Sequence, residues 1–185
     1  VFAMRPRVYV RGERRHKAGE VVVGRSDVSA TVLYRPAAEL RDTLVLLVRE
    51  FRSAVANPSG YVWELPGGSA ENAAEREHDP RATAAREVHQ ETGLAISPTQ
   101  LEPVPLTARQ LAATILCHRA HLYRAELTDE QMNYLRGAER AGRSFGANAG
   151  ERCFVMLKTV GEIMRSGSVD WAQVGMILAA LQRDL

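Results

Sequence analysis

The chain has 185 residues, 45% of them hydrophobic and 25% charged, which suits a soluble globular domain rather than a disordered, collagenous or membrane-spanning chain. A formal net charge of +2 is too small to argue for a nucleic-acid or membrane partner. The longest apolar runs, Thr43–Val48 and Met176–Leu181, fall well short of the roughly 20 residues a membrane helix needs.

This length favours one domain over residues 1–185, with residues 1–24 as an N-terminal arm. Basic residues gather in Arg5–Lys17, which reads as a solvated arm. No apolar stretch of the signal type follows the charged N-terminus. Cys117 and Cys153 lack metal-site spacing and suit buried free thiols in a reducing cytoplasm.

The first half of the chain reads as strands. Val8–Val10 and Glu20–Val23 are short and β-branched, while Val28–Tyr34 and Thr43–Phe51 are longer. Pro36–Arg41 and Ala54–Gly60 read as loops, and Tyr61–Leu65 as a short strand stopped by Pro66. A helix is predicted from Pro80, with Asp79 as N-cap and Gly93 as its stop. Leu101–Leu106 and Ala113–Leu127 read as strands with loops. Thr128 and Gln131 form a capping box ahead of a helix over Asp129–Glu139. Gly142–Gly150 is Gly-rich and expected to be mobile, with Phe145 exposed in it. Cys153–Leu157 reads as a strand and Val160–Arg165 as a brief helix. Asp170 caps a last helix whose apolar stripe is Trp171, Val174, Leu178 and Leu181. Strands interleaved with a few helices predict an α+β fold, a mixed sandwich.

The chemistry concentrates in Gly67–Leu94. Glu87 and Glu91 stand four apart, so they share one face of the predicted helix. Stacked carboxylates repel unless a cation lies between them, and hard divalent cations prefer oxygen ligands. The Gly67-Gly68 pair lets the backbone approach the same ion. This is the arrangement a magnesium–diphosphate site needs. Scattered acids on a solvated helix are the alternative reading of the pair alone.

Arg86-Glu87-Val88-His89-Gln90-Glu91-Thr92-Gly93-Leu94 resembles the second half of the Nudix box, G-x5-E-x7-R-E-U-x-E-E-x-G-U, with U aliphatic. Three departures stand out. His78 takes the place of the first Glu, the gap from Gly68 to His78 is four residues longer than the pattern's, and Gln90 replaces one acid of the Glu-Glu pair. The inserted stretch offers Glu71, Glu75 and Glu77 as substitutes. Leu47–Arg52 followed by Trp63–Gly68 is similar to the ADP-ribose and nucleotide-sugar pyrophosphatase branch, although Glu50 stands where that branch has Gln. Gly150-Glu151 matches the position of a loop acid in that branch.

The resemblance implies an α/β/α sandwich with a mixed central sheet and a loop–helix–loop site. It implies metal-dependent cleavage of a nucleoside diphosphate linked to a further group, with ADP-ribose or a nucleotide-sugar first. Magnesium or manganese would be held by Glu87, Glu91 and the Gly67 carbonyl. Glu151 would activate or position water, with Glu87 as the fallback base, and Arg86 would orient the motif. Arg52, Arg49 and Glu64 become candidate substrate contacts. Trp63, alternating with Glu64, is expected to face the core. The implied partner is a nucleotide small molecule, with no nucleic acid or membrane, and a homodimer through the N-terminal strands. Two alternatives stay open: a triphosphate or dinucleoside polyphosphate substrate, and a non-catalytic nucleotide-sugar sensor.

Overall fold

The computed structural model describes residues 1–69, 79–104, 107–147 and 150–182. The chain opens with the short strands β1 (Phe2–Met4), β2 (Val8–Val10), β3 (Arg15–Lys17) and β4 (Val22–Gly24). β1 pairs with β4, and β2 with β3, as separate two-stranded sheets. Then come β5 (Val28–Arg35), β6 (Leu44–Phe51), β7 (Tyr61–Glu64), β8 (Gly67–Ser69) and helix α1 (Pro80–Thr92). Three strands follow, β9 (Glu102–Pro103), β10 (Arg109–Gln110) and β11 (Arg119–Glu126), and then α2 (Asp129–Arg140). The chain finishes with β12 (Ser144–Phe145), β13 (Cys153–Thr159), α3 (Val160–Arg165) and α4 (Trp171–Leu181).

The described residues form a nine-stranded sheet with the spine β10-β11-β5-β6-β13-β12; β7 joins β6, β8 joins β5 and β9 joins β11. β11 runs parallel to β5 and the other pairings are antiparallel, so the sheet is mixed.

Strand alternation sorts the core into two layers. Leu33 of β5 and Leu46 of β6 pack with Val88 of α1 and Leu135 of α2. Their sequence neighbours Val32, Val45 and Leu47 pack on the other face with Ile163 of α3 and Ile177 of α4. Helices therefore cover both faces, which makes the fold an α/β/α sandwich. This explains why β6 begins as an unbroken apolar run rather than an alternating one. Trp63 packs against the α4-side layer. Burying each such side chain contributes about 1.5–3 kcal/mol.

The caps stand where the sequence puts them. The Asp79 side chain accepts from the Arg81 amide at 2.9 Å, with Pro80 in the first turn. Gly93 closes α1 at φ 74° and donates its N–H to the His89 carbonyl. Thr128 and Gln131 make the reciprocal capping box of α2.

Other details differ. Within Ala113–Leu127, read as strand with loops, the strand is Arg119–Glu126; the residues before it turn, and Leu116 bridges to Val23. Glu102–Pro103 is the strand in its region, and residues 105–106 lie outside the described ones. Phe145 is not an exposed loop side chain: it pairs with Cys153 across β12–β13 and packs against the α1–α2 layer. Trp171 is 84% exposed, because the buried stripe of α4 starts one turn later, at Val174. Cys153 is buried but Cys117 is exposed. Among the described residues, no helix is long and apolar enough to cross a membrane.

A side chain at position 93 meets two obstacles. Its φ is left-handed, and an added Cβ would run into the Tyr134 hydroxyl and the Phe145 ring. Gly93→Ala is expected to lower unfolding stability by about 1–3 kcal/mol. Urea denaturation checks this, and an unchanged midpoint would contradict it.

Candidate active site

Alternation along β6 buries Leu46, Val48 and Glu50. An acid at the end of an apolar series is thus carried inside; Glu50 is 8% exposed. The pitch of α1 brings Glu87 and Glu91 to one side, and they are 8% and 3% exposed. Glu151, ahead of β13, is half-buried, and its carboxylate accepts from the Ala147 amide at 2.9 Å. Acceptor and thiol atoms of Glu50, Glu151 and Cys153 all lie within 4.8 Å of one another, a group that could hold a metal ion.

These acids adjoin a cleft of about 350 Å³ lined by Glu87, Glu91, Glu151, Glu64, Gln90 and Arg52. The two glycines of β8 form its floor, and each is required by space. A Cβ on Gly67 would strike the backbone of β5, and one on Gly68 would lie 2.7 Å from the Glu87 carboxyl carbon. The Gly67 amide donates to Glu91 Oε2 at 3.0 Å. Because Thr31 N bonds the Pro66 carbonyl, the antiparallel ladder turns both the amide and the carbonyl of Gly67 away from β5.

Two nearby cations, Arg52 and Arg86, are engaged with carboxylates, while Arg25 donates to the Ser69 hydroxyl at 2.7 Å. Arg52 donates from Nε and Nη2 to Glu64 Oε2 at 2.9 and 2.7 Å, and its Nη2 also lies 2.9 Å from Glu50 Oε2. Arg86 Nη2 reaches Glu87 Oε1 at 3.0 Å and the Ser69 carbonyl at 3.3 Å, tying α1 to β8.

Burial pushes Glu91 up to about 9, against the Gly67 amide and with the help of the Glu87, Glu50 and Glu151 charges. Burial also raises Glu50, although Arg52 opposes it, and it raises the Cys153 thiol well above its usual range. Burial works against the Arg52 cation, but Glu64, Glu50 and Glu91 hold it charged. A divalent cation fits such a cluster: oxygen-rich, anionic, and open to a cleft.

A family model for the NUDIX domain matches residues 25–139, more than half of the chain. The chain belongs to the NUDIX family. Compared with curated proteins, it finds no match. It is thus a Nudix hydrolase acting on phosphoric anhydrides, with nucleoside diphosphate derivatives as the general substrate class. Divalent metals serve such enzymes generally.

Most of the residues expected from the sequence meet in this hydrolase's cleft: Glu87, Glu91, Glu151, Arg52, Glu64 and Gly67 line it. Arg86 stands behind them on Glu87. Arg49 does not join them. One residue from Glu50, it points to the other face of β6, where its guanidinium lies 5.0 and 4.9 Å from the Tyr61 and Phe154 ring centroids. His78, Glu71, Glu75 and Glu77 lie outside the described residues. Two residues at the site stand outside the sequence-based expectations. Glu50 counted only as a departure from a pattern, although the burial alternation of β6 marks it. His118 lines the cleft and is 8% exposed; no spacing in the sequence marks it.

The raised Glu91 makes stability depend on pH. A carboxyl held near 9 when folded, against an ordinary 4.5, favours the folded state only while protonated. That contribution is whole below about 4.5 and is lost as pH rises towards 9. With chelator present, the melting temperature of the wild type should fall over this range relative to Glu91→Gln, and a divalent cation should reverse the fall. Parallel curves for the two proteins in thermal scans would contradict the burial argument.

Proposed function

We propose that this hydrolase cleaves the diphosphate of ADP-ribose or a nucleotide-sugar, giving a nucleoside monophosphate and a sugar phosphate. The observation that carries the reading is one cleft lined both by the buried carboxylates Glu87 and Glu91, with Glu64 and Glu151, and by the arginines Arg25 and Arg52. Acids there suit a cation, and Arg25 and Arg52 suit phosphate oxygens. The segments around Arg52 and Glu64 support the ADP-ribose and nucleotide-sugar branch over triphosphates.

Glu87 and Glu91, with the Gly67 carbonyl, would hold the cation, and Glu50 adds a carboxylate beside them that offsets the neutral Gln90. Bound there, Mg2+ or Mn2+ would supply positive charge to the diphosphate and acidify the attacking water. The protein's own groups do the rest. Glu151 accepts a proton from water at its carboxylate, held in aim by the Ala147 amide. Glu87 is the second candidate for that proton. Arg86 fixes Glu87 through its hydrogen bond rather than touching substrate. Arg52, already fixed by Glu64 and Glu50, presents its guanidinium without losing much side-chain freedom on binding. Glu64 turns a carboxylate towards the substrate's sugar hydroxyls.

The exposed Phe2, Met4, Val8 and Tyr9 of the arm support a homodimer; light scattering at the mass of one chain would argue against it.

A hydrolysis panel tests the reading. It holds ADP-ribose, nucleotide-sugars, dinucleoside polyphosphates and nucleoside triphosphates, each with Mg2+, Mn2+ or chelator. AMP and ribose 5-phosphate are expected from ADP-ribose, only with metal. Preference for triphosphates would overturn the branch, and ligand binding without turnover would overturn catalysis. Glu151→Gln should lower kcat by about 100-fold or more with a smaller change in KM. A change confined to KM would remove Glu151 from the chemical step.

A further inference from the structure

Beside the acid-lined cleft lies a second cavity of about 270 Å³. Its walls are largely apolar: Leu111 and Leu122 from the β10–β11 side, and Ala172, Met176 and Ala179 from α4. Thr107, Arg109 and Gln110 add polar groups. Leu111 and Met176 also line the cleft, so this slot begins where the cleft ends.

Two further observations point to a ligand. Gly175 faces the slot from the middle of α4, where glycine weakens a helix relative to alanine. Packing does not require it, because an added Cβ would meet nothing within 4 Å. The second is His118, in the cleft wall with Leu111 and Met176. It is 8% exposed, and its Nδ1 is buried with no hydrogen-bond partner. Buried polar atoms are normally paired. In a cleft wall, an incoming ligand can supply the missing partner.

We propose that the slot is the base subsite of this hydrolase and takes a planar heteroaromatic base. The base lays its apolar faces against Leu111, Leu122 and Met176 and turns its polar edge to Thr107, Arg109 and Gln110. His118 hydrogen-bonds the sugar that joins base to diphosphate. Mostly apolar walls with a few convergent polar groups suit such a ligand, and the adjoining polar cleft takes its charged end. The assignment rests on the cleft being the diphosphate site.

Filling the slot tests this. Gly175 is not among the positive-φ glycines of the described residues, so Gly175→Leu should keep or raise the melting temperature. Calorimetry with AMP, GMP, CMP and UMP, in chelator, reads binding without turnover. The wild type is expected to bind at least one of them, and Gly175→Leu to weaken that binding about tenfold or more. The same variant should raise KM for ADP-ribose more than it lowers kcat. His118→Ala should weaken binding about fivefold, the worth of one hydrogen bond, and His118→Asn should restore it. Equal binding by wild type and Gly175→Leu, or no nucleotide binding by the wild type, would overturn the slot. Tighter binding of a short alkyl diphosphate than of any nucleotide would overturn the base as its occupant. Failure of Asn to restore binding would remove His118 from the subsite. A wild type that binds AMP through the slot but hydrolyses no diphosphate would refute the hydrolase reading and leave the subsite standing.

Discussion

Burial of several carboxylates in one place is the constraint that the rest of this structure serves. Burial acts first at Glu91, and the charges of Glu87, Glu50 and Glu151 add to it, so that its carboxyl is pushed up to about 9 against the Gly67 amide. A charge in such a place is costly unless paired. Among the described residues, Arg52 meets Glu50, Arg86 meets Glu87, and the Gly67 amide meets Glu91. A divalent cation held there would offset the acids' charge and meet the anionic diphosphate.

The architecture explains how the acids are kept together. β6 buries Glu50 by alternation, and α1 stacks Glu87 over Glu91 by its pitch. The helix is fixed at both ends, by Asp79 and Pro80 at one and Gly93 at the other. Gly67 and Gly68 let β8 pass between β5 and Glu87. Each device is local, yet all converge on one cleft. The apolar layers on both faces of the sheet hold the strands in the register that the convergence needs.

What the sequence made legible follows physical range. Caps, the Glu87–Glu91 pair and the Arg86–Leu94 motif are set by covalent spacing, so they could be read directly. Glu50 was harder because its neighbours are remote: Cys153, whose thiol lies 3.7 Å from Glu50 Oε2, is 103 residues away. His118 gains meaning only when α4 brings Met176 beside it. Arg49 is a candidate substrate contact only through the resemblance of Leu47–Arg52, and strand alternation sends it to the face opposite Glu50. Trp171 and Phe145 mislead in opposite senses. Helical spacing of apolar residues puts the first in the core, and a Gly-rich setting puts the second outside it. Tertiary placement decided both.

The central claim is that a divalent cation replaces a proton among the buried acids. Calorimetric titration of the protein with Mn2+ at pH 7, in buffers of different ionisation enthalpy, measures that exchange directly. The account predicts proton release on binding in the wild type, because Glu91 starts protonated, and little release with weaker binding in Glu91→Gln. Mn2+ binding without proton release, or with equal affinity in both proteins, would contradict it.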